Sequence, residues 1–411
     1  MEAHMEKTVC ELFAGVGGFR LGLERAAQDW ITVWFSQWEP GKTKQYAHEC
    51  YVSHWGDIDE YTGKDIASIN KTDIPDHNLL VGGFPCQDYS VARPLTDISG
   101  IEGKKGVLWW QIRDTLLAKR APFVLLENVD RLLKSPASQR GRDFGVMLAC
   151  FADLGYSVEW RVVNAADYGA GQRRRRVFIF AYSNDTVYAN RFVADAVGYM
   201  EELASDIMTN IGFFAQTFPV ERNVVVKTEV LKYHDILATS EKFAFAFENA
   251  GYMHDGVVYT GKVVPVLEEP IPLVYMLERD VDEKYYLVGD RLEKFEYLKG
   301  SKKVLRKSKD GHEYIFSEGA IAFPDPINLP ARTMLTSESS VNRSSHVIRD
   351  PQTGMLRLIT PLEAERIQGF EDDWTNTGMP EKFRYFCMGN ALVVPMVTRM
   401  GHTLNEIFHN E

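Results

Sequence analysis

Residues 8–13, Thr-Val-Cys-Glu-Leu-Phe, read as a strand that stops at the glycine cluster Gly15-Val16-Gly17-Gly18, and helical periodicity begins at once over residues 19–28. The alternation repeats. Strand-like residues 31–35 precede a helical stretch at 43–51, and a short buried strand at 79–81 runs into Gly82-Gly83. A helix is predicted over 107–119 and a strand over 123–126. Strands alternating with helices predict an α/β fold with a doubly wound, mainly parallel sheet of Rossmann-like type. Such sheets bind ligands beyond the carboxyl ends of their strands, so the residues just after each strand are the ones to inspect.

The pattern changes after residue 195. Residues 223–226, 256–259 and 285–288 are short strand-like runs separated by turn dipeptides such as Asp255-Gly256. Residues 1–195 are therefore expected to form one domain, and 196–350 a smaller, mostly β and irregular one. Residues 351–411 are expected to return to the first, with a helix at 361–368 opened by Pro361 and an early acid. The chain of 411 residues, 45% hydrophobic and 25% charged, has ordinary globular composition. It holds no run of about 18 apolar residues, so no membrane span or membrane partner is expected. The first residues carry both charge signs and no apolar run, which predicts a cytoplasmic protein. Five scattered cysteines without CxxC spacing argue against a disulfide framework or a zinc finger.

The net charge of −11 is weak evidence against an anionic partner. Charges are screened over about 8 Å at physiological salt, so local patches decide. Two patches oppose the average: the arginine run 173–176, and Lys299, Lys302, Lys303, Arg306, Lys307 and Lys309 with no acid among residues 299–309. Each reads as a solvated face or as a contact for a polyanion.

Four places carry chemistry. Phe13-Ala14-Gly15-Val16-Gly17-Gly18 is a glycine turn between strand and helix, where backbone approaches a ligand closely. Glu39 follows the second strand at a spacing suited to ribose hydroxyls, and Asp57 follows a third candidate strand end and can face an adenine amino group. The pattern is not G-x-G-x-x-G, which disfavours NAD and leaves S-adenosyl-L-methionine as the natural ligand. Cys86, in Gly83-Phe84-Pro85-Cys86-Gln87, stands in a loop at the ligand edge, whereas Cys10, Cys50, Cys150 and Cys387 read as inert buried thiols. Glu127 ends the apolar strand of residues 123–126, and partial desolvation there suits a proton donor; capping the next helix is the equal alternative. In Gln172-Arg173-Arg174-Arg175-Arg176, alternation places Arg174 and Arg176 on one face.

These motifs, with Gly389-Asn390-Ala391, Leu329-Pro330-Ala331-Arg332-Thr333 and residues 357–363, stand in the order seen in DNA (cytosine-5) methyltransferases. The chain resembles a bacterial restriction-modification member over most of residues 8–190 and 325–400. The resemblance implies transfer of a methyl group from S-adenosyl-L-methionine to carbon 5 of a flipped-out cytosine in double-stranded DNA, leaving S-adenosyl-L-homocysteine. Cys86 would be the nucleophile, Glu127 would hold ring nitrogen 3, and Arg176, supported by Arg174, would contact the ring carbonyl. Phe13, Gly15, Val16, Gly17, Gly18, Glu39, Asp57, Ile58, Pro85, Leu108, Asn390 and Ala391 would line the cofactor site. No metal is required.

Residues 196–350 resemble the family's target-recognition domain. Gln87, Ser90, Arg93, Lys104 and Lys105, in a stretch like the family's active-site loop, and Lys302, Lys303, Arg332 and Thr333 are candidate DNA contacts. A monomer, with a cognate restriction endonuclease as its system partner, is the family expectation. The chain departs from the pattern at Gly171, where proline is common, and at Pro40, where some members place an aromatic against adenine. An RNA cytosine-5 methyltransferase is the nearest rival. The Gly83-Phe84 lead-in and the long segment after residue 195 favour DNA. A catalytically dead DNA-binding protein is disfavoured by the set Cys86, Glu127 and Arg176, and an NAD oxidoreductase by the glycine pattern.

Overall fold

The computed structural model describes residues 4–84, 108–193, 199–308, 311–338 and 340–411. The predicted alternation is present: β1 (Thr8–Leu12), α1 (Gly18–Ala26), β2 (Ile31–Ser36), α2 (Tyr46–Trp55), β3 (Leu79–Gly83), α3 (Leu108–Lys119) and β4 (Phe123–Val129). Then come α4 (Arg142–Asp153), β5 (Tyr156–Asn164), β6 (Arg175–Ser183), α5 (Val187–Val193), α6 (Met200–Asp206) and α7 (Phe213–Thr217). The strands β7 (Val226–Val230), β8 (Ala250–His254) and β9 (Val257–Gly261) follow, with α8 (Ile236–Lys242) after β7.

These strands make one nine-stranded sheet in the order β2-β1-β3-β4-β6-β5-β8-β9-β7. It is mixed. The β2-β1-β3-β4 half is parallel, and every pairing from β4–β6 to the far edge is antiparallel. The α/β expectation holds, with the parallel order confined to the half that carries the glycine turn. The sheet also runs past residue 195, because β8 pairs with β5. Strand period explains the burial. Phe123 and Leu125 of β4 join one apolar core, and Val124 and Leu126 join the core on the opposite face. Both faces are covered, so β3 and β4 read as continuous apolar runs.

Beyond the sheet lie α9 (Gly289–Lys299), the hairpin β10 (Lys302–Lys307) and β11 (Glu313–Glu318), and the pair β12 (Val347–Arg349) and β13 (Leu356–Leu358). The helices α10 (Pro361–Gln368), α11 (Glu381–Asn390) and α12 (Val394–His409) close the chain, and α12 returns to the core beside α1. The start of α10 is as predicted. Thr360 and Glu363 form a reciprocal capping box behind Pro361. Glu363 also takes both terminal nitrogens of the buried Arg357 at 2.8 and 2.7 Å, so the motif at residues 357–363 is a structural lock.

Three local expectations change. Residues 43–45 precede α2 rather than belonging to it, because the Gln45 side chain turns back to bond the Glu39 amide and carbonyl. The strand expected at 223–226 begins only at Val226. Where a strand is expected at 285–288, residues 283–285 form a 3-10 turn instead, and only Tyr286 bridges to Arg357 of β13, with the Leu287 amide donating to the Leu356 carbonyl at 2.8 Å, a contact too short to make a strand.

Candidate active site

The glycine turn sits at the carboxyl end of β1. Phe13, Gly15 and Gly17 all have positive φ (56°, 57° and 87°), and the Ala14 amide donates to the Ser36 carbonyl at 2.9 Å, tying the turn to β2. Gly17 is obligatory on two counts. Its φ disfavours other residues, and a Cβ there would stand 2.2 Å from the Trp55 ring. Gly15 is the opposite case: nothing lies within 4 Å of its Cβ position, leaving open space above the turn. The Gly15 amide donates to Gln37 Oε1 at 2.7 Å. Sequence reasoning missed Gln37, although it directly follows β2, where ligand-edge residues were to be sought.

Glu39 lies half-buried beyond β2. Its Oε2 is buried with no hydrogen-bond partner, and burial, only partly opposed by Lys42, holds its carboxyl above the ordinary range. An orphaned acceptor beside an open glycine turn fits the ribose hydroxyls of a nucleoside cofactor. Asp57 and Ile58 follow helix α2 rather than the strand end expected there, and both are exposed; Asp57 Oδ1 accepts from the Thr62 hydroxyl at 2.5 Å and the Ile58 amide at 2.9 Å. Val16 and Gly18 are buried in the turn, with the Val16 carbonyl accepting from Trp374 Nε1 at 2.9 Å. Leu108 opens α3, and Asn390 and Ala391 end α11. Pro85, Cys86, Gln87, Ser90, Arg93, Lys104 and Lys105 lie outside the described residues.

Glu127 is 8% exposed and pairs across β4–β6 with the neighbourhood of Arg176. Arg176 Nε stands 2.7 Å from Glu127 Oε1, an ion pair by distance whose N–H is not aligned for a hydrogen bond. Gly83, which leads into the Cys86 loop, leaves room for this carboxylate: its Cβ position is 3.2 Å from Glu127 Oε2. Asn128 Nδ2 donates to the Phe84 carbonyl at 3.0 Å, holding the same loop at its root. The three strand ends β3, β4 and β6 thus bring the lead-in to Cys86, Glu127 and Arg176 to one edge.

The arginine run alternates as predicted, with Arg173 and Arg175 exposed and Arg174 and Arg176 turned inward. Arg174 does not reach toward a substrate, however. Its guanidinium is 1% exposed and donates to the Met334 carbonyl at 3.0 Å and the Gly389 carbonyl at 2.8 Å. Burial, with repulsion from Arg176, pushes it down to about 9. It is a brace joining the loop after Ala331 to the end of α11. Gln172, also buried, accepts from the Met334 amide at 3.0 Å while its Nε2 has no partner.

The basic segment is likewise corrected. Arg332 is held by Asp325 at 2.5 and 3.1 Å, and Lys299 is buried against Asp325 and the Ser345 carbonyl. Burial would raise the Asp325 carboxyl, but Arg332, His346 and Lys299 outweigh it and hold it below the usual range. Thr333 donates to the Arg173 carbonyl at 2.5 Å. Arg332, Thr333 and Lys299 are therefore internal fasteners. Lys302 is half-buried and 3.5 Å from Glu318, and Lys303 is exposed. Cys10, Cys50, Cys150 and Cys387 are buried free thiols, all pushed up by burial. Among the described residues no group of His, Cys, Asp or Glu is arranged to hold a metal, and no helix is long and apolar enough to cross a membrane.

A glycine turn, an orphaned buried carboxylate oxygen and a mixed sheet with helices on both faces fit the class of S-adenosylmethionine-dependent methyltransferases. The chain belongs to the C-5 cytosine-specific DNA methylase family, whose model matches residues 7–406. It is 50% identical over 407 residues to the Type II methyltransferase M.Sau3AI of Staphylococcus aureus, covering 97% of this chain and 95% of that protein. M.NgoBI of Neisseria gonorrhoeae is 37% identical over 181 residues, 44% of this chain and 52% of that one. Among solved structures, Dnmt2 of S. pombe matches with a TM-score of 0.58 and 16% identity, over 97% of this chain and 98% of that one, which shows the shared fold. The protein is thus a C-5 cytosine DNA methyltransferase, and its family implies use of S-adenosylmethionine.

Proposed function

We propose that the protein methylates carbon 5 of one cytosine within a specific short sequence of double-stranded DNA, through base flipping and a transient covalent bond from Cys86. The observation that carries this reading is the Glu127–Arg176 pair at 2.7 Å, beside the strand that leads into Cys86. A cytosine ring has no good methyl acceptor at carbon 5 until a nucleophile adds at carbon 6. Cys86 Sγ forms that bond as Glu127 holds or protonates ring nitrogen 3, and the ring electrons move to carbon 5. Arg176, whose Nη1 donates to the Arg175 carbonyl at 2.8 Å, fixes the Glu127 carboxyl and offers Nη2 to the ring carbonyl. The target atom is hidden in a duplex, so the base swings out at a cost of a few kcal/mol.

Phe13, Gly15, Val16, Gly17, Gly18 and Glu39, with Asp57, Ile58, Pro85, Leu108, Asn390 and Ala391 around them, hold S-adenosyl-L-methionine. When bound, it supplies an electrophilic methyl group and leaves as S-adenosyl-L-homocysteine. Loss of the carbon-5 proton then expels the Cys86 thiolate and restores the aromatic ring. Gln87, Ser90, Arg93, Lys104 and Lys105 are proposed phosphate and strand contacts. Residues 196–350, where they leave the sheet, supply target recognition. Similarity to a Type II methyltransferase supports a protective role beside a cognate endonuclease. Action as a monomer on cytoplasmic DNA is part of the same proposal.

The test is transfer of tritium from labelled S-adenosylmethionine to unmethylated genomic DNA, read after digestion to nucleosides. The expected product is labelled 5-methylcytosine, absent with Cys86→Ala, which still binds the cofactor. Wild-type turnover by Cys86→Ala would refute the mechanism, and label in tRNA rather than DNA would move the substrate to RNA.

A further inference from the structure

The hairpin β10–β11 stands apart from the main sheet as a two-stranded ribbon. Its register pairs Leu305 with Ile315, Lys303 with Ser317 and Lys307 with Glu313 on one face, and Val304 with Phe316 and Lys302 with Glu318 on the other. The second face is the half-covered one: Lys302, Phe316 and Glu318 are all partly buried, and the Arg306 guanidinium stacks 3.8 Å from the Phe316 ring. Every residue of the first face is exposed. At its centre Leu305 and Ile315 are 64% and 67% exposed, a directly opposed aliphatic pair with nothing laid over it among the described residues. Lone exposed aliphatics are ordinary, but a cross-strand pair on an open ribbon face offers a formed contact surface.

The ribbon is held in place from its base. Arg343 donates to the Leu298 carbonyl at 2.9 Å and lies 3.4 Å from Glu318, and it also bonds the Gly319 carbonyl. The neighbouring Asp325 gathers Arg332 and Lys299, and Thr333, next in the chain, bonds the Arg173 carbonyl at the start of β6. A short chain of contacts therefore joins the ribbon to the strand that carries Arg176.

We propose that the open face of β10–β11 enters the major groove of duplex DNA, with Leu305 and Ile315 against base edges and thymine methyl groups. This rests on the reading that duplex DNA is the substrate. Two-stranded ribbons fit that groove, and the carbon-5 methyl of thymine is its one apolar feature. Charge selects the occupant: β10 carries Lys302, Lys303, Arg306 and Lys307 against Glu313 and Glu318 of β11, and although Lys307 pairs with Glu313 at 3.0 Å and Lys302 lies 3.5 Å from Glu318, Lys303 on the open face stands opposite Ser317 rather than an acid. Lys303 positions the ribbon on phosphate, and the aliphatic pair reads sequence.

The test compares wild type with Leu305→Thr/Ile315→Thr, a change at exposed sites that keeps strand-favouring residues. Unmethylated genomic fragments are amplified with either thymidine or deoxyuridine, and label in 5-methylcytosine is measured with bisulfite mapping of the modified sites. Wild type must first label the thymidine DNA; failure there sinks the substrate reading and not the ribbon. The variant is expected to raise KM for DNA roughly tenfold and to relax base preference beside the modified cytosine, with cofactor Kd unchanged. Wild type is expected to lose roughly fourfold per missing methyl on deoxyuridine DNA, and the variant, left with only the smaller threonine methyls, is expected to lose less. A variant with wild-type KM and the same site spectrum overturns the proposal and leaves the face to a protein partner. Wild type indifferent to deoxyuridine overturns the thymine contact.

Discussion

Replacing Arg174 by methionine tests whether that residue braces the site or acts on the base. Its guanidinium makes charge-assisted bonds to the Met334 carbonyl at 3.0 Å and the Gly389 carbonyl at 2.8 Å, inside the protein. Each such bond contributes about 1.5–3 kcal/mol, and methionine, of similar length, leaves both carbonyls unpaired. Against that loss, the substitution removes a cation that burial and Arg176 already disfavour. The net expectation is a loss of about 2–4 kcal/mol, read as a fall in Tm of roughly 2–5 °C for a chain of this length. Met334 lies in the proposed recognition segment and Gly389 beside the proposed cofactor residues, so both loops shift. If about 1.4 kcal/mol appears as misplacement of each, KM for DNA and Kd for the cofactor both rise about tenfold. Calorimetric melting and steady-state kinetics measure all three. Arg174→Lys, able to reach one carbonyl, should fall between. Wild-type Tm and kinetics in Arg174→Met would refute the brace. Wild-type Tm with kcat alone reduced would put the guanidinium on the bound base instead.

Gly17→Ala should weaken cofactor binding at least tenfold by isothermal titration, because its φ of 87° and a Cβ 2.2 Å from the Trp55 ring force the turn to move. Glu39→Gln should lower cofactor affinity with little change in Tm, since Oε2 has no internal partner to lose; equal affinity would place the ribose elsewhere. Burial, partly opposed by the Tyr51 hydrogen bond and Arg20, pushes Glu11 up to about 8 from an ordinary value near 4.5. The folded state then holds a proton that the unfolded state has released, so its contribution is full below about pH 4.5 and is lost as pH rises toward 8. Glu11→Gln, which keeps an acceptor for Tyr51, should gain Tm relative to wild type as pH rises from 5 to 8, and a pH-independent difference would refute this.

Much of the site was legible in the chain because its signals are local. An apolar run, a glycine turn and an acid after the next strand are set by backbone geometry and period-two burial within a few residues. The start of α10 at Pro361 was legible for the same reason, whereas its capping box at Thr360 and Glu363 was not read. Gln37 was within reach of the same logic and was passed over, because a lone glutamine carries no chemical signature. What tertiary structure alone decided concerns charge and edges. Lys299, Lys303 and Arg332 look alike in the sequence, yet Lys299 and Arg332 are spent on Asp325 and Lys303 faces solvent. Arg174 and Arg176 share a face, but only Arg176 meets a carboxylate, because Met334 and Gly389 arrive from distant parts of the chain to take Arg174. The sheet grew past residue 195 because β5 left an unpaired edge that β8 could occupy. Local sequence sets dihedrals and alternation. Which buried charge finds a partner, and which strand edge is covered, depends on segments hundreds of residues away.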